Sequence, residues 1–405
     1  MGANTLLTID MITREALRLA HEKATFIGTI NRQFDDSFGN AGAKIGDTLR
    51  IRYPSKYTRR SGSRVMDVQD SVQLSTALTV ATQDGVDMRF NSRELALDLD
   101  EFSKIHLEPA MATLISNIDS DVLVGCTKST FNFAGTAGTT ISSLTAPGQA
   151  RTRLNQNLAP KGTDRRVQFD SGTMASIVTG VASYFNPSNA ISEQYREGLV
   201  ARTAMADYYE NERVWSMANT TSVTVSTMKM GGYLSTAGQT SLTVSALTVS
   251  SMIPGMKLTF ANIFDVHPET KQLLAGQAKQ FTIVGKTDVS TYTISPAVYL
   301  TGAQQNVTGI GTTTSTQNIT ILGSPNSTYT LGLMYHKDAY TFATAALPLM
   351  AASEKCVRQT YDGLSIRVWQ DSDIRNDELL TRIDILYGFA AIRPEWGCAI
   401  IGASQ

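Results

Sequence analysis

Between Thr220 and about Tyr329 the chain changes character. It becomes a series of short β-branched runs, "TTSVTVSTM", "TSLTVSALTV", "MKLTFANI", "KQFTIVGK" and "STYTISPAVYL", set apart by Gly, Pro and Asn. Runs of this length between turn residues read as the strands of a compact antiparallel barrel or sandwich. Helical patterns precede the block and helical and strand patterns follow it, so an all-β module is predicted to be inserted into a mixed α/β host. One stretch inside the block stands apart: "VHPETKQLLAGQAKQ" opens on His267-Pro268-Glu269-Thr270-Lys271, which suits neither a helix interior nor a central strand. It is expected to be a loop joining two strands.

The chain has 405 residues, more than one ordinary core accommodates, which also favours a host with an insertion. Hydrophobic residues make up 42% and charged residues 18%, the balance of a globular protein, and no apolar run reaches the length that spans a bilayer. Lys and Arg number 35 against 36 Asp and Glu, for a formal charge of -1. That balance argues against a protein whose main task is gripping nucleic-acid phosphates. The opening "MGANTLLTIDMITREALRLA" does not read as a secretory leader, so the expectation is a protein that stays where it is made. Cys126, Cys356 and Cys398 lie far apart in mostly apolar company and read as buried free thiols of a reducing compartment.

Along the host, Met11 to Lys23 follows Asp10, a candidate cap, and sets Ile12, Ala16, Leu19 and Ala20 on one side of an amphipathic helix. After the glycines of "GNAG" and Ile45-Gly46-Asp47, "TLRIRYP" alternates as a half-buried strand. Ser55 to Asp70, "SKYTRRSGSRVMDVQD", is poor in apolar residues and concentrates Lys56, Arg59, Arg60 and Arg64 before alternation returns at Leu74, Thr76, Leu78 and Val80. This predicts a long two-stranded finger with a basic tip. A turn is expected at Gln83-Asp84-Gly85, ahead of alternating Val86, Met88 and Phe90. "EPAMATLISNIDSDVLVGC" then repeats Met111, Leu114, Ile115, Ile118, Val122 and Cys126 at helical spacing behind Pro109, which predicts one long helix. Thr127 to Gly148 reads as loop, and Met174 to Phe185 and Ile191 to Gly198 as short helices joined at Asn186-Pro187-Ser188. Beyond the β block, Ala-rich Ala339 to Leu347 reads as a return of helical signals, "LSIRVWQDSD" alternates, and "LLTRIDILYGFAAI" fits a strand buried on both faces.

Chemical motifs are weak. His21, His106, His267 and His336 are scattered, none at metal-ligand spacing to another His or Cys. "GKT" at Gly285 to Thr287 lacks the earlier glycine of a phosphate loop, and "GIGTTT" from Gly309 fits a hairpin better than a nucleotide site. The Asn-x-Thr triplets at Asn219, Asn306, Asn318 and Asn326 match glycosylation acceptors but are what a Thr-rich segment produces by chance. The basic tip is either a solvated loop or a finger that pairs with acidic groups on a neighbouring subunit, nucleic acid being a weaker third reading. The residues favour a structural protein over an enzyme.

Several segments together resemble the major capsid (coat) protein of tailed bacteriophages, specifically the P22 coat-protein group of the HK97-like fold. They are "EPAMATLISNIDSDVL", "APKGTDRRVQF" followed by "YFNPSNAI", "PGMKLTFANIFDV" with "HPETKQLLAGQAKQFTIV", "YHKDAYTFATAALPL", "DGLSIRVWQDSDI" and "TRIDILYGFAAIRPE". Their order over nearly the whole length carries the resemblance.

The resemblance implies an α+β HK97-like fold with an inserted antiparallel β-barrel-like domain. The divisions would be an N-terminal arm and helix (1–46), an extended loop (47–82), a peripheral domain with its spine helix (83–148), an axial domain (149–219), the inserted β domain (220–330), and a C-terminal part completing the axial and peripheral domains (331–405). It implies no cofactor, no metal, no catalytic residue and no membrane. The partners would be further copies, in hexamers and pentamers of an icosahedral shell, with a scaffolding protein, a portal, and packaged double-stranded DNA held without sequence specificity. The shell would belong to the virion and assemble in the bacterial host cytoplasm, with Lys56, Arg59, Arg60 and Arg64 as inter-subunit contacts. The reading from another class is a surface adhesin or carbohydrate-binding β module.

Overall fold

A computed structural model describes residues 9–32, 48–91, 106–181, 206–219, 229–245, 252–309, 318–350, 355–373 and 375–404, apart from positions 64, 65, 67, 71, 163, 231–233, 235, 289, 362 and 363. The predicted helix at Ile191 to Gly198, the run "TTSVTVSTM" up to Met228 and the tip residue Arg64 lie outside the described residues. The chain divides into two compact units, Met1–Ile51 with Thr76–Val122 and Tyr340–Ile392, and Arg52–Ser75 with Leu123–Ala339 and Arg393–Gln405.

The first unit is built on a five-stranded antiparallel sheet. Its order is Tyr340–Ala345, Glu378–Ala391, Leu364–Asp373, Lys355–Tyr361, with Thr82–Asn91 also paired to Glu378–Ala391. Glu378–Ala391 is the strand read as buried on both faces, and Ile383 to Gly388 are buried without interruption. The charged residue in that run, Asp384, is fully buried and accepts from Arg367 Nη2 at 2.5 Å and Arg382 Nε at 2.8 Å, which is how a carboxylate is tolerated there. Helix Ile9–Lys23 buries Ile12, Ala16, Leu19 and Ala20 as expected, but it starts at Ile9, so Asp10 lies in its first turn instead of ahead of it. The long helix runs Glu108–Ser129, with all six of its periodic apolar residues buried. Asp119 on that helix is fully buried and accepts from the backbone N–H groups of Phe26 and Ile27, both at 2.9 Å.

Two host expectations are corrected in this unit. Gln83-Asp84-Gly85 is not a turn: it lies inside the strand Thr82–Asn91, with Gly85 opposite Asp384. A Cβ on Gly85 would fall 2.6 Å from Asp384 Oδ1, so the glycine serves a close approach of sheet neighbours. Ala339 to Leu347 is not helical either. Tyr340–Ala345 is a strand with every residue buried, and its Tyr, Thr and Phe side chains, suited to a pleated core, outweigh the helix propensity of the alanines.

The second unit holds a six-stranded sheet in the order Phe133–Ala134, Gly397–Ser404, Thr328–His336, Arg165–Phe169, Asp207–Glu210, with Trp215–Ala218 also on Thr328–His336. Helices Thr145–Gln156 and Ser171–Val181 cover it through Ala150, Leu154, Met174 and Ile177, which pack with Val167, Phe169, Met334 and Ile400. The first of these helices begins within the segment read as loop, with Pro147 in its first turn, where a missing N–H costs nothing, and Gly148 donating its N–H to the Leu144 carbonyl at 2.8 Å.

The same unit contains the β-branched block. Its strands form one antiparallel seven-stranded sheet in the order Val307–Thr308, Lys257–Val266, Leu273–Lys286, Thr291–Val298, Gln239–Ser245, Lys229–Met230, with Ile319–Ile321 also on Lys257–Val266. The expected barrel is thus a half-barrel among the described residues, since no ladder joins the two ends of this order. It has its own apolar core, in which Phe260, Phe281, Leu258, Ile294 and Val298 are at most 2% exposed. The polar excursion at His267 resolves into a turn: Nδ1 of His267 accepts from the backbone N–H groups of Glu269 and Thr270, and the strand resumes at Leu273, opposite Val266. "LLAGQAKQ" therefore belongs to the strand and not to the loop.

Candidate functional site

The basic segment lies on the predicted finger. At its base, Thr48–Arg52 and Ser75–Thr79 pair as a two-stranded sheet, and Leu49 and Ile51 pack against Leu78, Val80, Ala343 and Leu386. The hydroxyls of Thr48 and Thr79 meet at 3.2 Å. Five residues further along each limb, the Tyr53 N–H donates to the Leu74 carbonyl at 2.8 Å. Five further still, the Gln69 side chain stands in for a missing ladder: its Oε1 accepts from Thr58 N–H and its Nε2 donates to the Thr58 carbonyl, both at 2.8 Å. The three pairs keep one antiparallel register, so the finger continues as a hairpin beyond the last formal strand residue.

The shaft rests on the C-terminal turn Pro394–Trp396. The Arg393 guanidinium lies 5.9 Å from the Tyr53 ring centre and 4.5 Å from that of Trp396, and its Nη1 is 3.8 Å from Glu395. Trp396 is held in turn, its indole N–H donating to the Asn157 carbonyl at 3.1 Å and its ring meeting His336 edge-on at 5.5 Å. His336 is buried, and burial pulls its pKa below the ordinary histidine value although Asp338 opposes this. Lys56 is exposed and within electrostatic reach of Glu395, Lys279 and Arg393. Arg59 and Arg60 are exposed further out.

The basic residues are not the most unusual feature of this finger. Met66 is 81% exposed, Val68 78%, Tyr57 60%, Val72 54% and Leu74 37%, a concentration of large apolar side chains in solvent on one short segment. Isolated exposed apolar residues are ordinary, but a cluster marks a contact surface. The sequence carried the signal as Met66, Val68, Val72 and Leu74 at alternating positions, but the cluster of charges drew the reading instead. Also missed were two buried cations that have no carboxylate partner among the described residues, Arg165 and Lys257. Arg165 donates from Nε to the Pro160 carbonyl at 3.0 Å and from Nη2 to that of Ala159 at 2.8 Å, pinning the loop after helix Thr145–Gln156.

Each of three histidines has its own setting: His106 meets Phe90 edge-on, His267 closes its turn and His336 lies by Trp396. Cys126 and Cys398 are buried free thiols and Cys356 is a half-buried one. Among the described residues there is no group of three or more His, Cys, Asp or Glu that could hold a metal ion, and no helix long and apolar enough to cross a membrane.

The fold has counterparts among solved structures. It is similar to a solved structure described as Mycobacterium phage Che8, with a TM-score of 0.50 and 8% identity over 93% of this chain and 90% of that one. The head structure of Helicobacter pylori bacteriophage KHP40 is also similar, with a TM-score of 0.46 and 9% identity over 95% and 91% of the two chains. No curated protein matches the chain by sequence. Residues 72–402 match the family described as P22 coat protein, gene protein 5, and the chain belongs to that family. Its function is that of a major capsid protein, which assembles with copies of itself into the icosahedral shell of a virion. The family is a structural one.

Proposed function

We propose that the finger is the element through which one subunit holds the next, with its base fixed on its own chain and its outer part laid across a neighbouring copy. The exposed row Tyr57, Met66, Val68 and Val72 is the observation that carries this reading. Those side chains have no core of their own to enter, and a closed shell supplies an adjacent subunit at every position. Lys56, Arg59, Arg60 and Arg64 then form a polar rim around an apolar contact, giving orientation and salt dependence more than strength. Repetition does the rest, since many modest contacts closed into a lattice give a cooperative shell.

In this reading residues 47–82 are the extended loop, 83–148 with the long helix form the peripheral domain, 149–219 and 331–405 contribute the axial domain and complete the peripheral one, and 220–330 are an insertion. The copies group as hexamers and pentamers and enclose double-stranded DNA, with a scaffolding protein and a portal as further partners. Assembly takes place in the bacterial host cytoplasm. The near-neutral charge of -1 supports an inner wall that tolerates packed DNA without gripping it.

The test is the double variant Met66→Ser with Val68→Ser, followed by sedimentation of assembled particles and melting of the unassembled chain. Closed particles are expected to be lost while the melting temperature stays within about 1 °C, because substitutions outside the core change little in the free chain. Unchanged particle yield would remove the finger from the contact.

A further inference from the structure

A ribbon that reaches out to grip another molecule must have its direction set near its root. The two limbs of the finger are joined at Tyr53 with Leu74 and again at Thr58 with Gln69, but bonds within the ribbon do not fix where it points. The register of those pairs places Met66 across from Ser61, eight residues beyond Tyr53. At about 3.3 Å per residue the lever is roughly 26 Å long, so a swing of about 10° at Tyr53 carries Met66 sideways by ~4–5 Å. That is the whole separation at which apolar side chains count as touching. Exposed Met66 and Val68 can therefore make the same contact on every copy only if the shaft is held.

The shaft and the groups that hold it belong to the same compact unit. Arg393 stands where the chain enters the C-terminal turn, its backbone N–H donating to the Ala339 carbonyl at 2.9 Å. Its side chain is 27% exposed, and its flat guanidinium reaches two rings, Trp396 of its own turn at 4.5 Å and Tyr53 of the finger at 5.9 Å. The turn is itself tied down: beside the bond from Trp396 to Asn157, the buried Asn132 donates from Nδ2 to the carbonyls of Glu395 and Gly397, both at 3.0 Å. A guanidinium partly withdrawn from water is attracted to both ring faces, and its plane stacks on them as a lysine ammonium does not. Glu395, 3.8 Å from Arg393 and within electrostatic reach of Lys56 on the finger, balances charge at the same place.

We propose that Arg393 is the positioning residue of the finger: by joining Tyr53 to Trp396 it sets the direction in which the finger leaves its own subunit. This rests on the reading of the finger as the contact between copies. In a closed lattice every subunit repeats the same contact, so an error in that direction is repeated too and alters the angle between neighbours. The apolar row supplies the grip, and Arg393 supplies the angle.

The experiment has two parts. The first uses the unassembled full-length chain with Cys356→Ser throughout, Cys126 and Cys398 being buried. Spin labels on Arg59→Cys and Thr152→Cys, both exposed and both in this unit, report the distance from finger to body by pulsed electron spin resonance. One narrow distribution is expected when Arg393 and Tyr53 are native. Arg393→Ala and Tyr53→Ala should each widen it at least about twofold, and the two together no more than either alone, because they break one contact. Tyr53→Phe, which keeps the ring, should leave it narrow, and Arg393→Lys, which keeps only the charge, should widen it. A width unchanged by Arg393→Ala, or effects that add in the double variant, would overturn the seat. Tyr53→Ala lies outside the cores and decides the matter if Arg393→Ala does not fold.

The second part images particles assembled from unlabelled chain. Arg393→Ala is expected to give mixed diameters and unclosed sheets, and uniform closed shells would overturn the positioning role. The distance measurement involves no assembly, so it judges the seat separately from Met66→Ser with Val68→Ser, whose unchanged particle yield would overturn the finger contact itself.

Discussion

The inserted sheet and the finger are both two-dimensional β elements that leave the host and return to it, and they treat their apolar side chains in opposite ways. The sheet turns Phe260, Phe281, Tyr292 and Ile294 inward until none is more than 2% exposed. The finger leaves Met66 and Val68 about four-fifths exposed. A seven-stranded curved sheet has an inside to fill, whereas a two-limbed ribbon has none and is marginal by itself in water. The difference teaches where each element finds its stability: the sheet within its own chain and, in the reading proposed above, the finger in a further copy of it.

Damage to the sheet should therefore appear in the free chain, and damage to the finger only in the assembly. The largest expected effect is that of Phe281→Ala, which opens a cavity against Phe260, ring centres 5.0 Å apart, and should cost about 3–5 kcal/mol in denaturant unfolding of the unassembled chain. A loss under about 1 kcal/mol would mean that the sheet does not depend on its core. Asp384→Asn extends the contrast to the host. It leaves Arg367, only 5% exposed, without its carboxylate and should cost ~3 kcal/mol or more, read in the same way.

Gly388→Ala probes the junction of finger and host sheet. A Cβ there would fall 2.1 Å from the Thr79 carbonyl oxygen, so the base strand must shift, for about 1–3 kcal/mol by thermal melting. The smallest effect belongs to the triple change of Arg59, Arg60 and Arg64 to Ala. Exposed ion pairs contribute about 0–1 kcal/mol each, so particle yield should fall modestly at low salt and hardly at high salt. A complete loss of assembly at every salt concentration would reverse the ranking of charge and apolar surface on this finger.

Much of this was legible from periodicity. The long helix announced itself through six apolar residues at helical spacing, and Glu378–Ala391 through a mostly apolar run that fits a strand buried on both faces. The β block was legible from its composition, although composition alone does not say whether its strands close into a barrel. What stayed hidden depended on contacts distant in sequence. Tyr340–Ala345 became a strand because a partner from Leu386 to Ala391 was there to pair with it. Gly85 read as a turn residue because its actual reason, the Asp384 side chain, lies 299 positions away. Lys257 looked like any strand-end lysine, since nothing local announces that four acceptors from the helix end and a neighbouring strand converge on it. At the finger, charge was visible at once, but exposure of the apolar residues can be judged only when it is known that no core covers them.

The most direct measurement is electron cryomicroscopy of particles assembled from the purified chain, resolved well enough to trace residues 53–74. The expected image is a closed icosahedral shell in which Tyr57, Met66, Val68 and Val72 of each finger are buried on an adjacent copy. A shell whose fingers stand free in solvent, or lie only on their own subunits, would contradict the assignment of the finger as the inter-subunit clasp.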